Sequence, residues 1–204
     1  FSGTAPTSTS WGTTQFVFPE PIECTKLVLE YVKATPCDSF NMQNATVAAA
    51  QKIILVGDVV VHHLAPNGES NQYSDSAYIN PRKISPSEFQ YSSNAEAKSG
   101  YPLRQAFDGN NGNYFVSNVE NNDTFKTSIT IDFNEVREIE GFLMATAYRT
   151  RYPDTGTVRY FDGFPTTLNV YTSKSTTDDS LVLDTVFEGN PVNPWTIIQF
   201  IFNR

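Results

Sequence analysis

The chain carries one aromatic pattern twice, close to its two ends. Phe1-Ser2-Gly3 is followed by Trp11 and then by Gln15-Phe16-Val17-Phe18. Phe187-Glu188-Gly189 is followed by Trp195 and then by Gln199-Phe200-Ile201-Phe202. The two Trp residues lie as far apart as the two Gln-Phe-X-Phe elements, and the two Phe-X-Gly elements lie two residues further apart. A repeat at that interval predicts one period of a tandem array plus a small overlap, with the ends of the chain falling inside a folding unit. Phe1 has no charged-then-apolar leader before it, as expected of a processed product or a slice of a longer chain. Alternating aromatic strands also recur by chance, so the repeat needs a second, independent observation.

Each Gln-Phe-X-Phe element alternates in the manner of a β-strand, and so does most of what lies between them. Thr14 to Phe18, Lys26 to Val32, Lys52 to Val56, Ser128 to Phe133, Glu140 to Ala145, Thr167 to Thr172 and Trp195 to Phe202 are the predicted strands. Only Asn44 to Lys52 has the makings of a helix, and a short one. Twelve Pro and eleven Gly punctuate the apolar runs, and β-branched and aromatic residues are plentiful, which points to an all-β sandwich. With 39% hydrophobic residues and 204 positions the chain can bury a real core, and its 18% charged content argues against disorder. A formal charge of −8 disfavours nucleic acid and anionic membrane as partners. No stretch of 18 apolar residues offers a transmembrane segment. Residues 58–84 are rich in turn formers such as Pro66-Asn67-Gly68 and are too long for a loop inside a compact domain, so they read as a linker. Val59 to Val61 at its start can extend the preceding strand.

From Ser85 onward a family order emerges. Tyr91-Ser92-Ser93-Asn94-Ala95 precedes Tyr101-Pro102-Leu103 and Gln105-Ala106-Phe107-Asp108-Gly109-Asn110; then come Tyr114-Phe115, Ile129 to Phe133, Val136 to Phe142 and Val170-Tyr171-Thr172-Ser173. This order resembles the discoidin family, also called the coagulation-factor type C or galactose-binding-like domain. The resemblance implies a jelly-roll β-sandwich. The family's closing strands have no counterpart after Phe202, but Phe16 to Phe18, Cys24 to Val32 and Ile53 to Gly57 resemble them. Residues 1–57 thus read as the C-terminal half of one discoidin-like domain and 85–204 as the N-terminal part of the next. The sandwich is split or permuted across the chain. Either Trp11–Phe18 and Trp195–Phe202 compete for one strand slot, or each half is completed by a neighbouring copy.

The chemistry is that of a binding protein. Tyr148, Arg149, Arg151, Tyr152 and Arg159 lie in one loop, 148–162, where aromatic faces and Arg donors suit a sugar. The alternative is that the Arg residues are solvated and the aromatics plug the sandwich end. The turn 108–113 offers Asp108 and Asn113. The resemblance implies a structural calcium there, although Gln51-Lys52 stands where the family supplies an acid, so a Lys ammonium can replace the ion. An Asx-type turn is the other reading. Cys24 and Cys37 can close a disulfide or be two buried thiols, and Asn44 and Asn122 head glycosylation sequons. Together they lean towards an extracellular or cell-surface location. Trp11 and Trp195 are expected in core packing. His62-His63 point to opposite faces of a strand and cannot easily share a metal, and Asp178-Asp179 sit in an apparent solvated turn. No nucleophile-elbow, phosphate-loop or zinc-protease motif is present, so an enzyme is not expected. The sequence predicts a non-catalytic adhesion or carbohydrate-binding module whose partners are a glycan or surface protein and neighbouring copies of itself. Two alternatives are a subunit of an extracellular filament or coat built by complementation of split sandwiches, and an accessory domain of a secreted hydrolase.

Overall fold

Alternating β-branched and aromatic residues fit a pleated, half-buried surface, and the computed structural model is built almost wholly of strands. It describes residues 13–18, 22–34, 54–63, 84–110, 113–119, 121–145, 149–150, 158–159, 165–175, 180–188 and 197–202. In chain order the strands are β1 (Thr13–Phe18), β2 (Ile22–Ala34), β3 (Leu55–Val56), β4 (Asp58–His63), β5 (Gln90–Ser93) and β6 (Phe115–Val116). They continue as β7 (Ser128–Ala145), β8 (Arg149–Thr150), β9 (Val158–Arg159), β10 (Pro165–Ser173), β11 (Val182–Glu188) and β12 (Ile197–Phe202). Among the described residues the only helical pieces are two short 3-10 turns, Pro86–Glu88 and Leu103–Phe107. The chain is all-β and sandwich-like.

Strand β7 organises the sheet. Its first half, from Ser128 to Asp132, runs between β2 and β5, and its second half, up to Ala145, runs between β4 and β12. The far side of β2 pairs with β10, and β10 with β11, while β1 lies outside β12. All of these pairs are antiparallel except β1–β12. Residues of the first segment, β2, therefore share one sheet with β7 and β10 of the third. β4 occupies the start of the expected linker and is a paired strand; residues 64–83 lie outside the described residues.

The two halves of β7 face each other across a core. The Tyr31 N–H donates to the Thr127 carbonyl at 2.9 Å, while the Tyr31 phenol donates to the Met144 sulfur at 4.0 Å. An unbent strand from Thr127 to Met144 would span roughly 55 Å at about 3.3 Å per residue. The chain must instead fold over so that its halves lie in opposite layers. The bend is local: Asp132 stands opposite Lys26 but Arg137 stands opposite Cys24, so β7 advances five residues while β2 advances two. Asn134 takes a left-handed φ of 59°, and its N–H donates to Asp132 Oδ1 at 2.9 Å. Asn adopts this conformation more readily than other side chains because its short polar group bonds locally.

Burial follows the pleat. Leu27, Leu29 and Tyr31 of β2, Ile129 and Ile131 of the first half of β7, and Ile139, Phe142 and Met144 of the second half are fully buried. Each such side chain contributes about 1.5–3 kcal/mol on removal from water. Phe89, Tyr91, Phe107 and Phe133 close part of this core as an aromatic group. Tyr91 stacks on Phe107 at 4.3 Å, and Phe89 meets Phe107 and Phe133 edge-on at 5.8 and 6.0 Å. The 3-10 turn beneath Phe89 starts with a capping box. The Ser85 N–H donates to Glu88 Oε1 at 3.0 Å, and Ser85 Oγ accepts from the Ser87 N–H at 3.3 Å.

Candidate functional site

The register of the strands fixes where the Arg-rich loop emerges. It leaves the sheet at Ala145, next to Met144, and re-enters at Pro165, which pairs with Ala34 at the end of β2. Both feet therefore lie at the end of the fold marked by Tyr31, whose backbone and phenol touch the start and the end of β7. The loop 121–127 leads into β7 at this same end.

Within the Arg-rich loop, β8 and β9 form a separate two-stranded ladder in which Arg149 stands directly opposite Arg159 and Thr150 opposite Val158. Tyr148, Arg151 and Tyr152 lie outside the described residues. Residues directly opposite in an antiparallel pair have Cβ atoms about 5 Å apart, and like charges there disfavour the ladder. An anion held between two guanidinium groups reverses that term, because each offers a planar fork of donors to a carboxylate or sulfate.

Two asparagines hold the neighbouring loop. Asn121, 4% exposed, accepts from the Thr127 N–H through Oδ1 at 2.8 Å and donates from Nδ2 to the Tyr31 carbonyl. Asn94 accepts from the Ser128 N–H at 2.7 Å and donates to the Lys126 carbonyl at 2.8 Å. Each amide replaces a rung that the backbone cannot supply where β7 begins. Tyr91-Ser92-Ser93-Asn94-Ala95 thus ends in a clamp on β7. In the sequence Asn94 stands out only as part of that Tyr91 to Ala95 order, and Asn121 carries no signal of its own.

Asn122, Asp123 and Thr124 of the sequon are all exposed. Asn122 Oδ1 accepts from the Thr124 N–H and hydroxyl, both at 2.8 Å, and from the Phe125 N–H at 2.9 Å. Asn44 lies outside the described residues, as does Cys37, so the expected Cys24–Cys37 pairing also does; Cys24 itself is fully buried.

At the turn, Asp108 Oδ1 accepts from the Asn110 N–H at 2.9 Å and Oδ2 from the Asn113 side-chain amide at 3.1 Å. Gly109 adopts a φ of 74°, open to glycine at no steric cost. N–H donors converge on the carboxylate in the manner of an Asx-type turn, and residues 111 and 112 of the same turn lie outside the described residues. Among the described residues no three His, Cys, Asp or Glu side chains form a metal-binding group.

One further polar group crosses β2 and β10. Glu30 Oε1 accepts from Asn169 Nδ2 at 2.9 Å and from the Tyr171 hydroxyl at 3.3 Å. Partial burial and then the Glu30 charge push the Tyr171 phenol above its ordinary range. Complete burial pushes the Tyr31 phenol much further up. The Glu30 group is engaged with itself, a cross-strand ladder rather than an open site. Among known proteins, no family model and no curated sequence matches this chain.

Proposed function

We propose that this chain is a non-catalytic binding module of an extracellular tandem-repeat protein, which attaches to carbohydrate or to a surface partner through the loop 148–162. The observation that carries this reading is the register of Arg149 against Arg159 on a ladder outside the main sheet. Two cations directly opposite in a ladder repel; they become an asset when the ligand brings a carboxylate or sulfate. A discoidin-like jelly roll is the fold that accompanies this reading, supported by the bent β7 and by the sandwich end at which the loop stands. Glycosylation at the exposed Asn122 fits the same extracellular setting.

The experiment is binding of the purified protein to immobilised neutral and acidic glycans at low and high salt. Acidic glycans are expected to be retained, with affinity lowered at least tenfold in Arg149→Ala and Arg159→Ala and reduced by salt. Binding that survives both substitutions, or no binding to any glycan or cell surface, overturns the proposal.

A further inference from the structure

The repeated strand meets itself in the fold. β1 and β12 run parallel and in register, with Gln15 against Gln199, Phe16 against Phe200 and Phe18 against Phe202. β12 alone lies beside β7, where Ile197 to Ile201 pair with Ala145 to Gly141. Among the described residues β1 has no partner but β12.

The position that β12 occupies is the one to which β1 is led by its own chain. Ile139 pairs with His63 of β4 on one side and with Ile22 of β2 on the other. β4 continues along its side to Ala145, so β2 and β12 share the opposite side of β7. β2 runs antiparallel to β7, and residues ahead of Ile22 therefore head from Ile139 towards Ala145. Only Pro19, Glu20 and Pro21 separate Ile22 from Phe18. β1 already points the same way as β12, so a sideways step of about 4.8 Å, one strand spacing, would seat it against β7. Its residues would then meet the β7 positions that their repeat counterparts meet now.

Each chain thus has one slot and two strands made for it. We propose that copies of this chain associate by exchanging these strands: β1 closes the slot of its own chain, and the freed β12 pairs along β1 of a second copy in the register seen here. The second copy is the fitting occupant because, among the described residues, the only sequence seated on β1 is β12. A strand whose outer edge is unpaired recruits another, and a contact between two different strands of like chains builds a reciprocal pair, a ring or an open array according to the rotation between copies. This interface is independent of the Arg149–Arg159 ladder and goes beyond the binding proposed there.

Mixing the Gln15→Cys variant with the Gln199→Cys variant and adding a short bis-maleimide tests the exchange. The expected product is a covalent pair joining Cys at 15 of one chain to Cys at 199 of the other. Its yield should rise with protein concentration and exceed that of the unsubstituted protein. A link that forms only within single chains of the doubly substituted protein, or in neither sample, overturns the proposal. A second variant, Ile201→Pro, removes a ladder donor from β12. It is expected to stay folded, because β1 takes the slot, and to lose association. Loss of the native fold in that variant would mean that β12 is the sole tenant, which also overturns the exchange.

Discussion

Asn121 holds the entry to β7 with both ends of its side-chain amide, and Asn121→Ala is the sharpest test of that role. The substitution deprives the Thr127 N–H of its acceptor at 2.8 Å and the Tyr31 carbonyl of its donor, in a site where Asn121 is 4% exposed and Thr127 fully buried. Each buried polar group left unsatisfied costs about 1–3 kcal/mol. With both groups in the lower to middle part of that range, the two losses together are expected near 2–4 kcal/mol. In urea, with a slope of about 2 kcal/mol/M, the midpoint should fall by about 1–2 M. Asn118→Ala, at an exposed position a few residues away, serves as the control and should move the midpoint little. Asn121→Asp separates hydrogen bonding from packing. It keeps the acceptor for Thr127 but sets a carboxylate against the Tyr31 carbonyl, so part of its loss should be recovered where acid protonates the new side chain. An Asn121→Ala protein within about 0.5 kcal/mol of the parent, the usual spread for surface changes, would refute the two-ended clamp.

Other residues yield expectations of their own. Thr127 Oγ1 is buried without a hydrogen-bond partner, so Thr127→Val should raise stability by about 1 kcal/mol in the same urea assay; a loss of that size would show that the hydroxyl is satisfied in solution. The Tyr31 phenol stays protonated in the fold while an unfolded phenol ionises near pH 10. Its raised folded pKa therefore contributes stability that is fully present below about pH 10 and is lost as pH climbs, by about 1.4 kcal/mol per pH unit. Tyr31→Phe should flatten the alkaline limb by that slope, and an unchanged limb would be evidence against it. Asn134→Gly should be nearly neutral and Asn134→Val should cost about 1–3 kcal/mol, since β-branched residues resist a φ of 59°; equal midpoints would mean that the bend is not anchored there. Millimolar calcium should leave Tm unmoved, whereas a rise abolished by Asp108→Ala would show that the turn 108–113 rebuilds around the ion.

Much of the strand content was legible because alternation survives wherever one face is buried. Thr14–Phe18, Lys26–Val32, Thr167–Thr172 and Trp195–Phe202 each fall on a strand within a few residues. What the pattern hid has physical reasons. Ser128–Phe133 and Glu140–Ala145 read as two strands because the polar run between them looks like a loop. Arg137 nevertheless pairs with Cys24, and the bulge around Asn134 carries one continuous strand from layer to layer. β11 escaped notice because Leu181, Val182 and Leu183 are all exposed at an edge, so no alternation marks them. β5 is only four residues long, with no fully buried position. Of the candidate site, the sequence named Arg149 and Arg159 but could not reveal that they face each other, because register between two short strands is set by the turn that joins them. The clamping role of Asn94, named only within the Tyr91 to Ala95 order, and that of Asn121 were not legible because an amide that replaces a backbone rung has no spacing rule.

The pairing of β2 with strands so far down the chain has a consequence for the protein while it is being made. Glu30 waits for Ser128, and Ala34 for Pro165. At a synthesis rate of about 5–20 residues per second, roughly a hundred residues and roughly 5–20 s pass before the first of these partners leaves the ribosome. Throughout that interval Leu27, Val28, Leu29, Tyr31 and Val32 form a nascent apolar segment with nothing to pair with. Glu23, Lys26, Glu30 and Lys33 are spaced through it, and charges so placed deter neighbouring nascent chains from stacking on such a segment. Lys26 and Glu30 later meet Asp132 and Tyr171, so two of the charges that guard the strand in transit are retained as contacts of the finished sheet.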